Sequence, residues 1–352
     1  MKNSKLYSVI LIFALALLSI QCTTDPIPGA DGVDGVDGVD GVDGADGVDG
    51  VNGTTECAIC HNVGTNEAVH SSYLFSGHAK GTAYGYAGGR SSCAQCHSEE
   101  GYTDYWTYGP DGVTDYTGQH GINCKTCHGS HTTFDFEDEG LDYALRSLAP
   151  IELITDPSYI INYGNTSNNC AFCHQPRKTL VDDGSGFVAV SEHWGPHHGP
   201  QSTLLEGIQG EEIDGMVEYP AAGTAGHRTG SSCTACHMGE TTGANDGNHT
   251  WVPTDNACSV CHSTTIPEEV NGFEENMEIL LAQLEVIGIL HSEINAEGEL
   301  EVHPVVGDWP LLQSRAAWNY LLIYEDASRG IHNSKYASAL VENSIEALST
   351  ED

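Results

Sequence analysis

The apolar residues of this chain change their habit from one stretch to the next. Residues 1 to 21, MKNSKLYSVILIFALALLSIQ, carry two lysines and then an apolar run from Val9 to Ile20. That run is too short to span a bilayer and has the flanks of a secretory signal peptide, so the mature chain is expected to be exported. From Gly29 to Gly53 glycine falls at every third position. Glycine-rich loops follow, and beyond Pro267 the texture turns helical. Phe273, Met277, Leu280, Leu281, Leu284, Ile287 and His291 keep helical spacing, with Thr265 and Pro267 supplying a helix start. A second helix is predicted over about 309 to 326. A third runs from Ser334 to Leu348, with Ala337, Leu340, Val341, Ser344 and Leu348 on one face.

Composition makes the middle of the chain unusual. Only 39% of the 352 residues are apolar, while there are 41 glycines and 13 cysteines, so aliphatic packing is thin for this length. Fifty acids against twelve bases give a formal charge of -38, which excludes nucleic acid and anionic membrane surfaces as natural partners. A solvated acidic surface accounts for it, and cationic partners stay open. The acidity is compatible with calcium, but no loop carries a recognisable calcium-ligand pattern.

Cys22 follows LSIQ directly and lies outside every cysteine pair. It reads as a lipidation site at the end of a signal peptide; ordinary cleavage leaving a free thiol is the alternative. The glycine triplets have the collagen period, yet no proline fills a triplet and seven aspartates recur without a basic residue between them. An extended, charged stalk is favoured over a short triple helix, which would make the protein a homo-oligomer.

The strongest signature comes next. CAICH at 57 to 61, CAQCH at 93 to 97, CKTCH at 124 to 128, CAFCH at 170 to 174, CTACH at 233 to 237 and CSVCH at 258 to 262 are six copies of Cys-x-x-Cys-His. This is the attachment signature of haem c, in which two thiols one helical turn apart bond the vinyl groups and the adjacent histidine meets the iron. Cys57, Cys60, Cys93, Cys96, Cys124, Cys127, Cys170, Cys173, Cys233, Cys236, Cys258 and Cys261 are therefore the predicted covalent anchors. His61, His97, His128, His174, His237 and His262 are the predicted proximal ligands. Disulfides and zinc ribbons also use cysteine pairs, but neither requires a histidine after every second cysteine. Six haems within residues 57 to 262 leave little room for conventional layers, so the porphyrins are expected to form the core.

Twelve histidines remain: His70, His78, His120, His131, His193, His197, His198, His227, His249, His291, His303 and His332. Six would give every iron a second imidazole, a closed coordination suited to electron transfer. A histidine near a motif cannot easily swing to the far face of its own haem, which points His131 and His120 at neighbouring ones. His227 and His249, shortly before later motifs, reach other haems or cap their own through a loop. Successive side chains of an extended segment point to opposite sides, so His197 and His198 supply at most one ligand, taken as His198. His78 and His332 complete the candidate set of His78, His120, His131, His198, His227, His249 and His332. His291 continues a helical apolar face and was weighed with His70, His193 and His303 as a surface or hydrogen-bonding residue.

In the six motifs and in SGHAKG, INCKTCHGSH, NNCAFCHQPR, GPHHGPQ and AAWNYLLIYEDASRGIHNSKYASALVENSIEAL, the chain resembles exported multihaem cytochromes c related to cytochrome c nitrite reductase and hydroxylamine oxidoreductase. The likeness covers about 57 to 349 and implies haems stacked in pairs, helical connections and a C-terminal helical bundle. The activity does not transfer. The nitrite reductases usually attach the active-site haem through Cys-x-x-Cys-Lys, and all six motifs here end in histidine. The cross-linked tyrosine of the hydroxylamine oxidoreductases has no identifiable match, and Arg90 cannot be set beside an iron from the sequence.

The predicted architecture is thus mainly α with many loops, a multihaem cytochrome c fold organised around stacked haems plus a C-terminal helical bundle. It divides into a signal peptide (1–21), a lipid anchor and Gly-x-Asp stalk (22–55), a six-haem domain (56–265) and a helical region (266–352). The expected function is electron carriage by six covalent haems c between the cell envelope and an extracellular or periplasmic acceptor. Redox proteins are its partners, and it sits as an outer-membrane lipoprotein, at the cell surface or in the periplasm. An oxidoreductase acting on a small nitrogen or sulfur compound at one open haem is the alternative, and a haem filament is a third reading.

Overall fold

The computed structural model describes residues 57–350 apart from 136–137, 139–141, 244–245, 263–265, 267–269 and 271. The signal peptide, Cys22, the glycine stalk, Thr265 and Pro267 lie outside the described residues. The described residues belong to one compact unit, Thr54–Asp352. No described helix is long and apolar enough to cross a membrane.

Up to residue 262 the helices are short, and most are built around a motif: Cys57–Cys60, Ser91–His97, Cys124–Cys127, Ser167–Ala171, Cys233–His237 and Asp255–Ser259. Side chains capture the exposed amides at several starts. Asn123 and Thr126 form a reciprocal capping box before Cys124, and Thr254 accepts from Ala257 N before Cys258. The longer helix Val63–Leu74 buries none of its twelve residues. Glu99–Tyr108 crosses Ser91–His97 closely because position 101 is glycine: a Cβ there would sit 2.3 Å from the Ala94 carbonyl carbon. The local apolar cluster is small, Tyr102, Ile151, Ala171 and Phe172, with Tyr105, Trp106, Tyr163 and the Cys96 and Cys173 side chains around it.

The tail is built differently. Helices Phe273–Ile287, Leu311–Asp326 and Ser334–Ser349 pack together, and the middle one buries ten of its sixteen residues. Their core includes Phe273, Leu280, Leu284, Leu321, Leu340 and Val341 and takes in Leu204 and Ile213 from the motif half. The chain from 209 to 217 is bound along this bundle by buried polar groups. Trp318 Nε1 donates to Gln209 O at 3.0 Å, Asn319 exchanges two bonds with Glu211, and Asn343 exchanges two with Val217.

Two expectations for the tail are corrected. The first helix does not reach His291: Gly288, at φ 91°, accepts a left-handed turn and ends it, and His291 lies in the strand Leu290–Ile294, paired antiparallel with Leu300–Pro304. The second helix begins at Leu311 rather than 309, because Trp309 and Pro310 belong to the strand Gly307–Pro310, antiparallel to Phe187–Val190. Short strands escape a reading that looks for helical periodicity.

Candidate functional site

In each motif the cysteines at i and i+3 and the histidine at i+4 share one helical turn. The turn is closed by His61 N to Cys57 O at 2.8 Å, His128 N to Cys124 O at 2.9 Å, His174 N to Cys170 O at 3.1 Å and His262 N to Cys258 O at 2.9 Å. Residues at this spacing lie on one face of the helix, so both thiols and the imidazole address one region of space. Among the described residues Cys60, Cys93, Cys96, Cys124, Cys127, Cys170, Cys173, Cys233, Cys236, Cys258 and Cys261 are thiols rather than disulfides. The groups of three convergent ligands among the described residues are Glu99, Glu100 and His120, and Glu293, Glu301 and His303, neither with a cysteine to suit a zinc ribbon.

Each motif histidine faces one other histidine ring. His61 faces His131 at 5.9 Å between ring centres, His97 faces His197 at 6.0 Å, and His128 faces His249 at 6.2 Å. His174 faces His78 at 6.1 Å, His237 faces His332 at 6.1 Å, and His262 faces His227 at 6.1 Å. Two imidazoles bound through nitrogen at about 2 Å to opposite sides of one metal have ring centres roughly 6 Å apart. Six independent spacings therefore agree with a bis-imidazole metal site.

The ring nitrogens are prepared for that role. Nδ1–H of His128, His227 and His237 donates to the carbonyls of Tyr143 (2.8 Å), Ile331 (2.6 Å) and Trp251 (2.8 Å). His332 donates to Asp326 Oδ1 at 2.6 Å, and His174 donates to Gln201 Oε1 at 3.0 Å. Gln201 is oriented in turn by Nε2 bonds to the Glu325 and Asp326 carbonyls. Fixing the proton on Nδ1 leaves the Nε2 lone pair for a metal. In the His97–His197 pair, Nε2 of His197 is buried without a hydrogen-bond partner. Burial also keeps imidazoles neutral, pushing His78 and His197 down to about 4 and lowering His97, His174, His237 and His249. His332 moves the other way: burial opposes its charge, but the Asp326 carboxylate outweighs it and raises the pKa.

Four of the six pairs are also joined by contacts. Cys96 Sγ lies 4.0 Å from Phe172 O and Cys173 Sγ 3.9 Å from Gln95 O, which joins the second and fourth motifs. Ser167, on the helix of Cys170, meets the Ser232 and Thr234 hydroxyls on either side of Cys233 at 2.9 and 3.2 Å, which joins the fourth to the fifth. Trp251 packs edge-on against His78 at 4.6 Å and His249 at 5.5 Å while its carbonyl holds His237, so one residue touches three pairs.

One solved structure shares much of this backbone arrangement. The outer cell wall cytochrome OcwA superposes with a TM-score of 0.50 at 20% identity, over 80% of this chain and 50% of OcwA. The likeness is one of fold. An undecahaem cytochrome from the S-layer of Carboxydothermus ferrireducens aligns at a TM-score of 0.45 and 17% identity, over 80% of this chain and 40% of that one. The chain spans about half the length of OcwA. No protein-family model and no curated protein matches it.

Two of the histidines chosen from the sequence as distal candidates stand elsewhere. His120 is exposed and bonds through Nδ1 to Glu100 at 2.6 Å. His198 is likewise exposed and pairs with Glu325 at 2.6 Å, while its neighbour His197 faces His97. Only one of the two rings faces a motif histidine, as expected, but it is His197 rather than His198; His197 adopts φ 75°, between Gly195 at 131° and Gly199 at 107°. A left-handed non-glycine residue costs about 1–3 kcal/mol and marks a conformation imposed by its surroundings. His70, His193, His291 and His303 are exposed. Sequence reasoning also missed Trp251, Gln201 and Asp326. The glycines flanking GPHHGPQ were the available sign for His197; the other three act only through tertiary contacts.

Proposed function

We propose that the chain is an exported electron-transfer cytochrome with six haems c, each held by a Cys-x-x-Cys pair and clamped between two histidines. The observation that carries this is the set of six ring pairs, each containing one motif histidine and one histidine distant in sequence. The distal partners are then His131, His197, His249, His78, His332 and His227, with His197 replacing His198 and His120 omitted.

When bound, haem c supplies a one-electron couple at each site. The protein does the rest. The cysteines would fix each group to its helical turn, and the paired imidazoles would both bind its iron, which would leave no open position for a small substrate. That favours conduction over the oxidoreductase alternative. The Nδ1 acceptors hold the rings against rotation, and the thiol contacts keep neighbouring sites together. Cys22 and the aspartate-rich stalk fit attachment to the cell envelope, with an extracellular or periplasmic acceptor and redox proteins, cationic ones above all, as partners. The segments similar to the nitrite reductase and hydroxylamine oxidoreductase group are read as shared haem-binding ancestry without the activity.

Intact-mass measurement of the mature protein tests the count. Six added haems are expected; a smaller number, or cysteines open to alkylation, would sink the reading.

A further inference from the structure

The six sites are not electrostatically alike. At one extreme, Asp326 is buried with its Oδ1 on His332 Nδ1 at 2.6 Å, and its Oδ2 accepts from Ser328 N at 3.2 Å and from the Ser328 hydroxyl. A carboxylate on the far nitrogen makes an imidazole a stronger electron donor to its metal and stabilises the oxidised, more positive state. The other acid near a paired ring, Asp142, is 3.8 Å from His131 Nδ1, and its Oδ2 is occupied by Thr132 and Thr133. Its effect is correspondingly weaker.

At the other extreme, three of the twelve basic residues surround His97 and His197. Arg177 Nη1 is 3.4 Å from Cys93 Sγ, and its backbone N–H bonds Pro196 O, the residue before His197. Lys178 Nζ bonds His193 O at 2.5 Å, and Arg90 stands at the start of the helix that carries Cys93 and His97. His198 is nearby, but Glu325 offsets its charge. Fixed cations favour the reduced state, which carries one positive charge fewer. Arg146 sets a cation beside the His128 carbonyl, 3.2 Å away, so the His128–His249 site ranks between the extremes.

We propose that the His237–His332 site is the most reducing of the six and the His97–His197 site the most oxidising, giving the molecule a built-in direction of electron flow. The route is short. Ser167, on the Cys170 helix, bonds the hydroxyls that flank Cys233, and Cys173 lies against the Cys96 motif, so the His174–His78 site connects the two ends. One electron leaves the ferrous His237–His332 site, which becomes ferric, and comes to rest on the His97–His197 site, which becomes ferrous. A low-potential one-electron reductant outside the protein restores the first site, and no proton or group is transferred.

This inference rests on the six-site reading, and its test separates the two. Holoprotein variants Asp326→Asn and Arg177→Gln are titrated by optical spectroelectrochemistry, after mass and ferric EPR have counted their haems and ligands. Asp326→Asn is expected to move the most negative couple upward and leave the most positive one in place. Arg177→Gln should move the most positive couple downward and leave the most negative one. Asp326→Glu and Arg177→Lys keep the charges and should restore each end toward the wild type. If Asp326→Asn fails to load haem, the Arg177 arm decides alone, since Arg177 is exposed. Six bis-histidine haems with couples that stay put, or that move at the opposite end, overturn the direction only. Missing haems in the wild type overturn the reading beneath it.

Discussion

The motif half and the tail of this molecule solve the same problem by different means. Helices Leu311–Asp326 and Ser334–Ser349 bury Trp318, Tyr336, Leu322 and Leu340 against one another, so side chains alone exclude water. In the motif half, helix Val63–Leu74 buries nothing and the apolar cluster around Phe172 is small, while imidazole rings face each other in six places. One region is organised by hydrocarbon, the other by facing imidazole rings. The tail also completes the motif half, because Asp326 at the end of one helix and the loop that follows it supply the carboxylate on His332, His332 itself and the Ile331 carbonyl on His227. The helical bundle thus contributes one ring of the His237–His332 pair.

The largest way to break this contrast is to withhold the cofactor. Full-length protein produced without haem attachment is expected to exchange backbone amides rapidly over 57–262, while helices Leu311–Asp326 and Ser334–Ser349 stay protected; equal protection in both regions would erase the distinction. Next, Leu340→Ala deletes a fully buried side chain in the tail core and should cost about 2–5 kcal/mol in denaturant unfolding without changing the haem count. In the motif half the sensitive change is a ligand. His197→Met should alter one of six low-spin signals in the ferric EPR spectrum, whereas His198→Met should alter none. Smaller still, Asn343→Ala strands the Val217 amide and carbonyl at the bundle and should cost about 1–3 kcal/mol. His303→Gln, on an exposed hairpin, should change stability by less than about 0.5 kcal/mol.

What could be read in the sequence follows the same division. The tail helices were visible because a side-chain core writes its period into the chain, as Leu280, Leu284, Leu340 and Val341 do. The hairpin around His291 was not, because Gly288 breaks the helix inside an apolar pattern that runs on past it. In the motif half, Cys-x-x-Cys-His is a local constraint and so is legible residue by residue. The facing histidine is set by tertiary geometry. Proximity reasoning served His131, which faces His61, and His227, which faces His262, because a ring beside one motif is stereochemically free to reach another. The same reasoning favoured His120, and nothing in the sequence shows that Glu100, twenty residues earlier, engages that ring. Asp326 and Trp251 act on their imidazoles through contacts that no spacing rule encodes.

The central claim is that every motif histidine shares a metal with a second histidine. Low-temperature EPR with near-infrared magnetic circular dichroism of the ferric holoprotein, scaled to the haem count, reads the axial ligands directly. Low-spin bis-histidine signals equal to the full complement of haems are predicted; a high-spin fraction amounting to one haem or more would contradict the account.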